Sequence, residues 1–240
     1  MSRKESVWHE KLCFCFPGDL LLAWGASMNF PKLRAFGIAL GLFVAVYGPA
    51  FAAVSLIRPP AQGAVPLIIA ISLAIALVLI FTLARRTAGV SEFGLRIPKF
   101  RYIGLAVLLG LPLAFAAGWL GHLFPAKGPI DTSGFPLWML WLYFGVGASI
   151  QEEVIFRGLL QSFLEQRWMT TFVVFRASLS PAVIFTATLF GIIHLGSGPI
   201  VITGAIVLGL VAGELRRRSG SLLPAVIVHA LFNVPGLLWP

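Results

Sequence analysis

The amino-acid sequence predicts an all-α protein, a polytopic bundle of about seven membrane-spanning helices. Of its 240 residues, 58% are hydrophobic and only 11% are charged, and the mean hydropathy is +0.93. A soluble domain usually carries about 25% charged residues. The apolar residues are gathered in long runs, and lipid offers no partner to an unpaired backbone group. We therefore expect each run to fold as a helix.

Seven apolar segments follow one another along the chain and are the predicted spans. In order, they are residues 35–57, 64–84, 103–124, 136–164, 181–195, 199–215 and 222–239. A helix rises about 1.5 Å per residue, so about 20 residues cross a hydrocarbon core of roughly 30 Å. The third segment qualifies despite Pro112. As a helix, residues 181–195 would extend only about 20 Å. This segment therefore either crosses the membrane or ends at mid-depth.

The chain divides into three regions. Residues 1–34 form a predicted N-terminal extension. Met28 opens a stretch that resembles an ordinary start before a first span, so this extension can lie upstream of the true start. Residues 35–135 supply the first spans, and residues 136–240 form a C-terminal core with the remaining spans.

The net charge of +9 indicates membrane topology rather than nucleic-acid binding, because the basic residues lie between the apolar runs. The polar segments 85–101 and 125–135 are predicted to be a cytoplasmic loop and an external loop. With a cytoplasmic N-terminus, all of the 18 Lys and Arg residues except Arg58, Lys127 and Arg157 fall in cytoplasmic segments. The sequence therefore predicts a multi-pass cell-membrane protein with its N-terminus in the cytoplasm.

The fourth segment contains two adjacent carboxylates and an arginine, Glu152, Glu153 and Arg157. A charge at the bilayer centre costs roughly 2.5–3.5 kcal/mol even on the mildest scale, so such groups mark a functional site by default. Glu153 and Arg157 are four residues apart and share a helix face. Glu152 is rotated by about 100° and is left for acid–base chemistry. The alternative is a single ion network that only stabilises the bundle.

Two later segments each carry a polar pair at the i, i+4 spacing, Phe190 with His194 and His229 with Asn233. Taken alone, His194 fits an interfacial group near a helix end, and His229 and Asn233 fit an interhelical hydrogen bond. Polar groups in spans face the bundle interior or a wet cavity, so the clusters can converge. A glutamate, two histidines and an asparagine are the groups needed to activate a water and stabilise an oxyanion.

The three motifs, in this order, resemble the CPBP family of intramembrane proteases, which includes CAAX proteases and bacteriocin-processing enzymes. The motifs are Glu152-Glu153-x-x-x-Arg157, Phe190-x-x-x-His194 and His229-x-x-x-Asn233. The resemblance covers about residues 140–235, and the first 135 residues match only as generic spans. It therefore implies that residues 136–240 are the catalytic core. Residues 165–180 are longer than we expect between the first two motifs, which indicates an extra surface element.

The resemblance implies an intramembrane peptidase in which these residues divide into three roles. The roles are water activation by Glu152 and His194, oxyanion binding by His229 and Asn233, and bracing of the site by Glu153, Arg157 and Phe190. The implied reaction is hydrolysis of peptide bonds in membrane-associated or lipidated proteins and peptides. A non-catalytic alternative is a proton-coupled transporter, an adaptor or a scaffold that uses the same buried polar cluster.

The sequence leaves a metal open. Three ligands with an open water position suit catalytic zinc, and the candidate ligands are Glu152, His194 and His229. No His-Glu-x-x-His helix is present, and the same residues serve equally well in a metal-free, glutamate-activated site.

The expected partners are the membrane-associated substrate and the lipid bilayer, with no nucleic acid, and the oligomeric state is not predicted. We assign no role to His9, His122, Cys13 or Cys15. Two cysteines build no disulfide framework or metal cluster.

Overall fold

The computed structural model describes residues 30–125, 134–168, 171–174 and 177–238. The predicted N-terminal extension therefore lies almost entirely outside the described residues, as does most of the predicted external loop. The sequence predictions that fall there concern Met28, His9, Cys13, Cys15 and Lys127.

The described chain is helical apart from one short hairpin. Its seven helices are α1 (Phe30–Ile57), α2 (Ala61–Ala84), α3 (Phe100–Leu123), α4 (137–165), α5 (Pro181–Ile192), α6 (Pro199–Ser219) and α7 (Leu223–Leu238). Each helix covers one of the seven apolar segments. Two antiparallel strands, β1 (Phe172–Val174) and β2 (Ala177–Leu179), pair with Phe172 opposite Leu179. The hairpin occupies the stretch where the sequence indicated an extra surface element.

Four helical segments are long and apolar enough to cross a membrane: Lys32–Ile57, Ala61–Ala84, Phe100–Leu123 and Pro199–Ser219. Helices α5 and α7 are apolar but shorter, with 12 and 16 residues. At about 1.5 Å per residue, α5 extends only about 18 Å, well short of a hydrocarbon core of roughly 30 Å. Seven membrane crossings therefore stay a prediction, while the helical fold and the four long apolar helices are established.

Helix α4 changes its winding on both sides of the acidic pair. The turn that carries the carboxylates, Ala148–Glu153, is α-helical. It lies between two wider π-helical segments, Trp141–Gly147 and Val154–Gln161. All eight residues of the second π segment are buried. Wider turns of this kind are frequent at functional sites. Here they set the direction of the side chains on either side of Glu152 and Glu153.

Helices α5 and α6 approach closely because small residues line their contact. A Cβ atom added to Gly209 would lie 2.8 Å from the Ala187 Cβ atom, and one added to Gly213 would lie 2.9 Å from Val183 Cγ1. The Gly209 position also faces helix α4, because the same added atom would lie 3.1 Å from Arg157 Nη2. Small residues at i, i+4 let helix backbones approach in a membrane. Gly209 thus makes room both for α5 and for the Arg157 guanidinium.

The segment between α2 and α3 forms hydrogen bonds with the end of α6 and with the turn that precedes α7. The Leu222 amide donates to the Gly94 carbonyl over 3.0 Å, and Arg216 Nη2 donates to the Glu92 carbonyl over 2.8 Å. Gly94 and Gly220 have φ angles of 84° and 66°, which glycine adopts without steric cost. These bonds fix the point at which α7 begins and hence the position of the residues that it carries toward α4.

We predict that Gly209→Ala lowers the free energy of unfolding by about 1–3 kcal/mol, because the added methyl group overpacks the contact with α5. Gly104→Ala is the matched control, since Gly104 has no neighbouring atom within 4 Å of an added Cβ. It should be neutral or stabilising by up to about 1 kcal/mol, because alanine favours the helix. Unfolding in mixed micelles measures both. Equal effects of the two substitutions would contradict the close approach at Gly209.

Candidate active site

Glu153 and Arg157 form a fully buried ion pair on α4. Arg157 Nη1 lies 3.2 Å from Glu153 Oε1, and neither side chain is exposed. The guanidinium also lies over the rings of Phe190 and Phe156, at 4.9 and 5.7 Å from their centroids. A buried charge persists only when it is paired and hydrogen-bonded. The pair expected from the i, i+4 spacing is therefore present, and aromatic rings close it off from water.

His229 of α7 connects the two glutamates. Its Nδ1 atom lies 2.8 Å from Glu153 Oε1, and its Nε2 atom lies 3.6 Å from Glu152 Oε2. An ionised carboxylate only accepts hydrogen bonds, so beside an ionised Glu153 the proton of the neutral ring lies on Nδ1. Glu153 thus orients the imidazole with Nε2 toward Glu152. The Glu152 side chain is 17% exposed whereas Glu153 is sealed, so Glu152 is the carboxylate that water can reach.

His194 lies just beyond the end of α5 and is half-buried. Its Nδ1 atom is 2.7 Å from the carbonyl oxygen of Phe190, and a carbonyl cannot donate, so Nδ1 carries the proton. In the neutral ring, Nε2 is then an acceptor. The Phe190 ring makes edge contacts with both imidazoles, at centroid distances of 4.9 Å to His194 and 5.5 Å to His229. Phe190 thus brings the two histidines to one site.

Asn233, one turn beyond His229 on α7, points toward α4. Its Nδ2 atom donates to the Phe144 carbonyl over 3.0 Å and to Ser149 Oγ over 3.3 Å. An amide nitrogen has two hydrogens, so both are in use in this conformation. Asn233 joins α7 to α4 within the bundle. The structure therefore brings the predicted residues of α4, α5 and α7 together, with the donors of Asn233 already occupied.

The geometry and the motif order agree with a comparison of the chain with protein families. Residues 134–235 match the family of type II CAAX prenyl endopeptidases described as Rce1-like. We refer to the matched residues as the Rce1-like domain. The resemblance to the CPBP family seen in the sequence is thereby confirmed. Neither a curated protein nor a solved structure matches the chain.

The Rce1-like domain begins just before α4 and ends within α7. It contains every residue that the sequence analysis assigned to the site, from Glu152 to Asn233. Helices α1, α2 and α3 lie outside the match. The family match supports a membrane protease.

Two residues from outside the Rce1-like domain reach its acidic turn. Gln151 Nε2 donates to the Tyr47 hydroxyl over 3.1 Å and to Ser72 Oγ over 3.0 Å, and all three side chains are buried. Ser72 in turn donates to the Ile68 carbonyl over 2.6 Å. Sequence reasoning gave these residues no role. The available signal was that Tyr47 and Ser72 are among the few polar residues of two apolar spans.

The described residues do not fit a three-ligand zinc site as they are placed. Among them, no group of three His, Cys, Asp or Glu side chains is arranged so that it could hold a metal ion. The candidate set Glu152, His194 and His229 is therefore not gathered as ligands. We derive no chemical step that passes through a metal.

We predict that Arg157→Met in the Rce1-like domain lowers the free energy of unfolding by about 3–5 kcal/mol, because it leaves the buried Glu153 carboxylate short of its counter-charge. In the double variant with Glu153→Leu, the free energy of unfolding should fall by less than the sum of the decreases in the two single variants. Arg218→Met is the control. The Arg218 side chain pairs with Glu214 and is 39% exposed, so this ion pair should contribute less than about 1 kcal/mol to the free energy of unfolding. Strictly additive losses at 153 and 157 would show that the pair contributes no interaction.

Proposed function

We propose that the Rce1-like domain is an intramembrane endopeptidase that hydrolyses peptide bonds of membrane-associated or lipidated substrates. One observation carries the proposal: Glu152 is a partly exposed carboxylate that faces the Nε2 atom of a histidine held by a second, sealed carboxylate. A carboxylate beside an oriented imidazole is suited to proton transfer at a reacting water. The family match supports a protease in the same residues.

In the proposed reaction, Glu152 accepts a proton from a water that also donates to Nε2 of His194. The oxygen of that water attacks the carbonyl carbon of the substrate, and the carbonyl oxygen becomes an oxyanion. Collapse of the tetrahedral intermediate breaks the C–N bond, and Glu152 returns its proton to the leaving amine. The products are a carboxylic acid and an amine, and the enzyme is unchanged. General acid–base catalysis of this kind contributes about 10²–10⁴-fold.

Oxyanion stabilisation is proposed for His229 with Asn233. When the His229 ring is protonated, Nε2 carries a hydrogen that can be donated to the oxyanion, while Nδ1 stays bonded to Glu153. Asn233 can join it only after one of its amide hydrogens leaves the Phe144 carbonyl or Ser149. In this proposal Glu153 and Arg157 do not react, and they hold the imidazole in position.

The proposed substrates meet the enzyme at the membrane. Helices α1 and α3 expose large apolar side chains, among them Leu40, Val44, Leu108, Phe115 and Trp119. Such faces suit contact with lipid chains, so a substrate tethered to the bilayer shares the environment of the site. A prenylated tail is one such substrate, and a membrane-anchored peptide is another. The cytoplasmic N-terminus stays a prediction from the distribution of Lys and Arg.

We expect Glu152→Gln to reduce cleavage of a membrane-anchored peptide by at least about 100-fold in the purified protein, with unchanged thermal unfolding, because the amide cannot accept the proton of the water. Glu92→Gln is the control, since it makes the same change at an exposed acid on the short helical turn Val90–Phe93. That variant should cleave as the wild type does.

Two results of this experiment favour the non-catalytic alternative, a proton-coupled transporter or an adaptor. One is undiminished cleavage by the Glu152→Gln variant. The other is no cleavage by the wild type across a broad panel of anchored and prenylated peptides.

Metal dependence, which the sequence leaves open, is tested separately. We expect cleavage to persist within about twofold after dialysis against a strong chelator, because the described residues form no three-ligand cluster. Elemental analysis of the same sample checks that zinc has been removed. Loss of cleavage on dialysis and its recovery with stoichiometric Zn²⁺ would instead place a divalent metal in the site.

A further inference from the structure

Tyr47 of α1 belongs to the surroundings of the proposed active site although it lies outside the Rce1-like domain. Its side chain is 7% exposed. Its ring packs against Phe156 at a centroid distance of 6.4 Å, and Phe156 packs edge-on against Phe190 at 5.1 Å. Phe190 in turn contacts both histidines. A continuous set of aromatic contacts therefore connects Tyr47 to the imidazoles.

The hydroxyl of Tyr47 has one hydrogen bond in which it accepts and none in which it donates within the described part of the chain. The oxygen accepts from Gln151 Nε2 over 3.1 Å, and the second hydrogen of that amide goes to Ser72 Oγ. Gln151 is thus held by two partners, and its bond orients the phenol oxygen. The hydroxyl hydrogen of Tyr47 remains available. A buried donor without an acceptor costs about 1–3 kcal/mol, so a use for it is expected.

Charged groups of the proposed active site surround the Tyr47 hydroxyl. The hydroxyl interacts electrostatically with the carboxylates of Glu152 and Glu153 and with the guanidinium of Arg157. Glu152 follows Gln151 directly in the chain and is the carboxylate that water reaches. Tyr47 makes no direct hydrogen bond to Glu152 among the described contacts. The Tyr47 hydroxyl therefore belongs to the electrostatic surroundings of Glu152 and of a group that reacts there.

The other neutral donor assigned to the site is already in use. Both amide hydrogens of Asn233 go to the Phe144 carbonyl and Ser149 Oγ. His229 can donate through Nε2 only when its ring is protonated. The described site thus has one uncharged donor that is buried, oriented and uncommitted, and this donor is Tyr47.

We propose that the Tyr47 hydroxyl donates a hydrogen bond to the carbonyl oxygen of the scissile peptide and stabilises the oxyanion that forms there. The inference rests on the proposed peptidase function and adds a residue from the N-terminal helices to it. No proton is transferred in this step, because the phenol keeps its hydrogen throughout. Tyrosine is among the side chains that serve in oxyanion sites.

The test is Tyr47→Phe in the full-length protein, which keeps the ring and removes the hydroxyl. We expect kcat to fall by about 100-fold or more with KM changed less than about threefold, since removal of one oxyanion donor costs about 10²–10³ in kcat. Tyr143→Phe is the matched control, because it removes a hydroxyl from a half-buried tyrosine on α4. It should leave both constants unchanged, and thermal unfolding checks that each variant is folded.

A second measurement separates an oxyanion donor from a residue that only holds Gln151 in place. Inhibition is measured with a substrate-like peptide whose scissile amide is replaced by a hydrated ketone, which resembles the tetrahedral intermediate. We expect Tyr47→Phe to weaken this inhibitor by a factor close to its loss in kcat/KM, while a non-cleavable peptide with an ordinary carbonyl binds as before.

Each outcome has a distinct meaning. Full activity of Tyr47→Phe, beside an inactive Glu152→Gln, overturns the role of Tyr47 and leaves the peptidase function standing. A loss of kcat without weaker binding of the hydrated ketone also overturns it, in favour of a positioning effect. No cleavage by the wild type overturns the peptidase function and this inference together.

Discussion

The site depends on one buried oxygen atom, Oε1 of Glu153. This atom accepts hydrogen bonds from Arg157 on its own helix and from His229 on α7. The bond from Arg157 supplies the counter-charge of a buried carboxylate. The bond from His229 fixes the orientation of the imidazole. Removal of either partner would leave a charge or a donor unsatisfied in a low-dielectric interior. The same bond that makes the ion network tolerable therefore directs His229 Nε2 toward Glu152, so stability and chemistry share one contact.

Glycine at 209 makes this arrangement sterically possible. The guanidinium of Arg157 lies against α6 where a side chain is missing, and the same gap lets α5 approach α6. Helix α5 carries Phe190, whose ring contacts the guanidinium and both imidazoles. In a membrane, helices associate through close van der Waals packing rather than through expulsion of water. A small residue on α6 thus places the aromatic group that brings His194 and His229 together.

The parts of the structure that were predictable from sequence are those that depend on local helix geometry. The pairing of Glu153 with Arg157 and the edge contact of Phe190 with His194 follow from the i, i+4 spacing. Contacts between helices were not predictable, because no spacing rule relates Glu153 to His229, Gln151 to Tyr47, or Asn233 to a backbone carbonyl on α4. The π-helical turns were also missed, since the same apolar residues suit either winding. The seven apolar segments matched seven helices, but the length of α5 shows why apolarity alone does not establish a membrane crossing.

The boundary of the Rce1-like domain and the boundary of the physical site do not coincide. The match begins just before α4, yet the polar neighbours of the acidic turn include Tyr47 on α1 and Ser72 on α2. Buried polar groups need hydrogen-bond partners. The partners of Gln151 lie on α1 and α2, so its hydrogen bonds connect these helices to the turn that carries Glu152. Helices α1 and α2 therefore belong to the surroundings of the acidic turn. They complete the hydrogen bonding of the acidic turn, and one of them carries the hydroxyl proposed to donate to the substrate carbonyl.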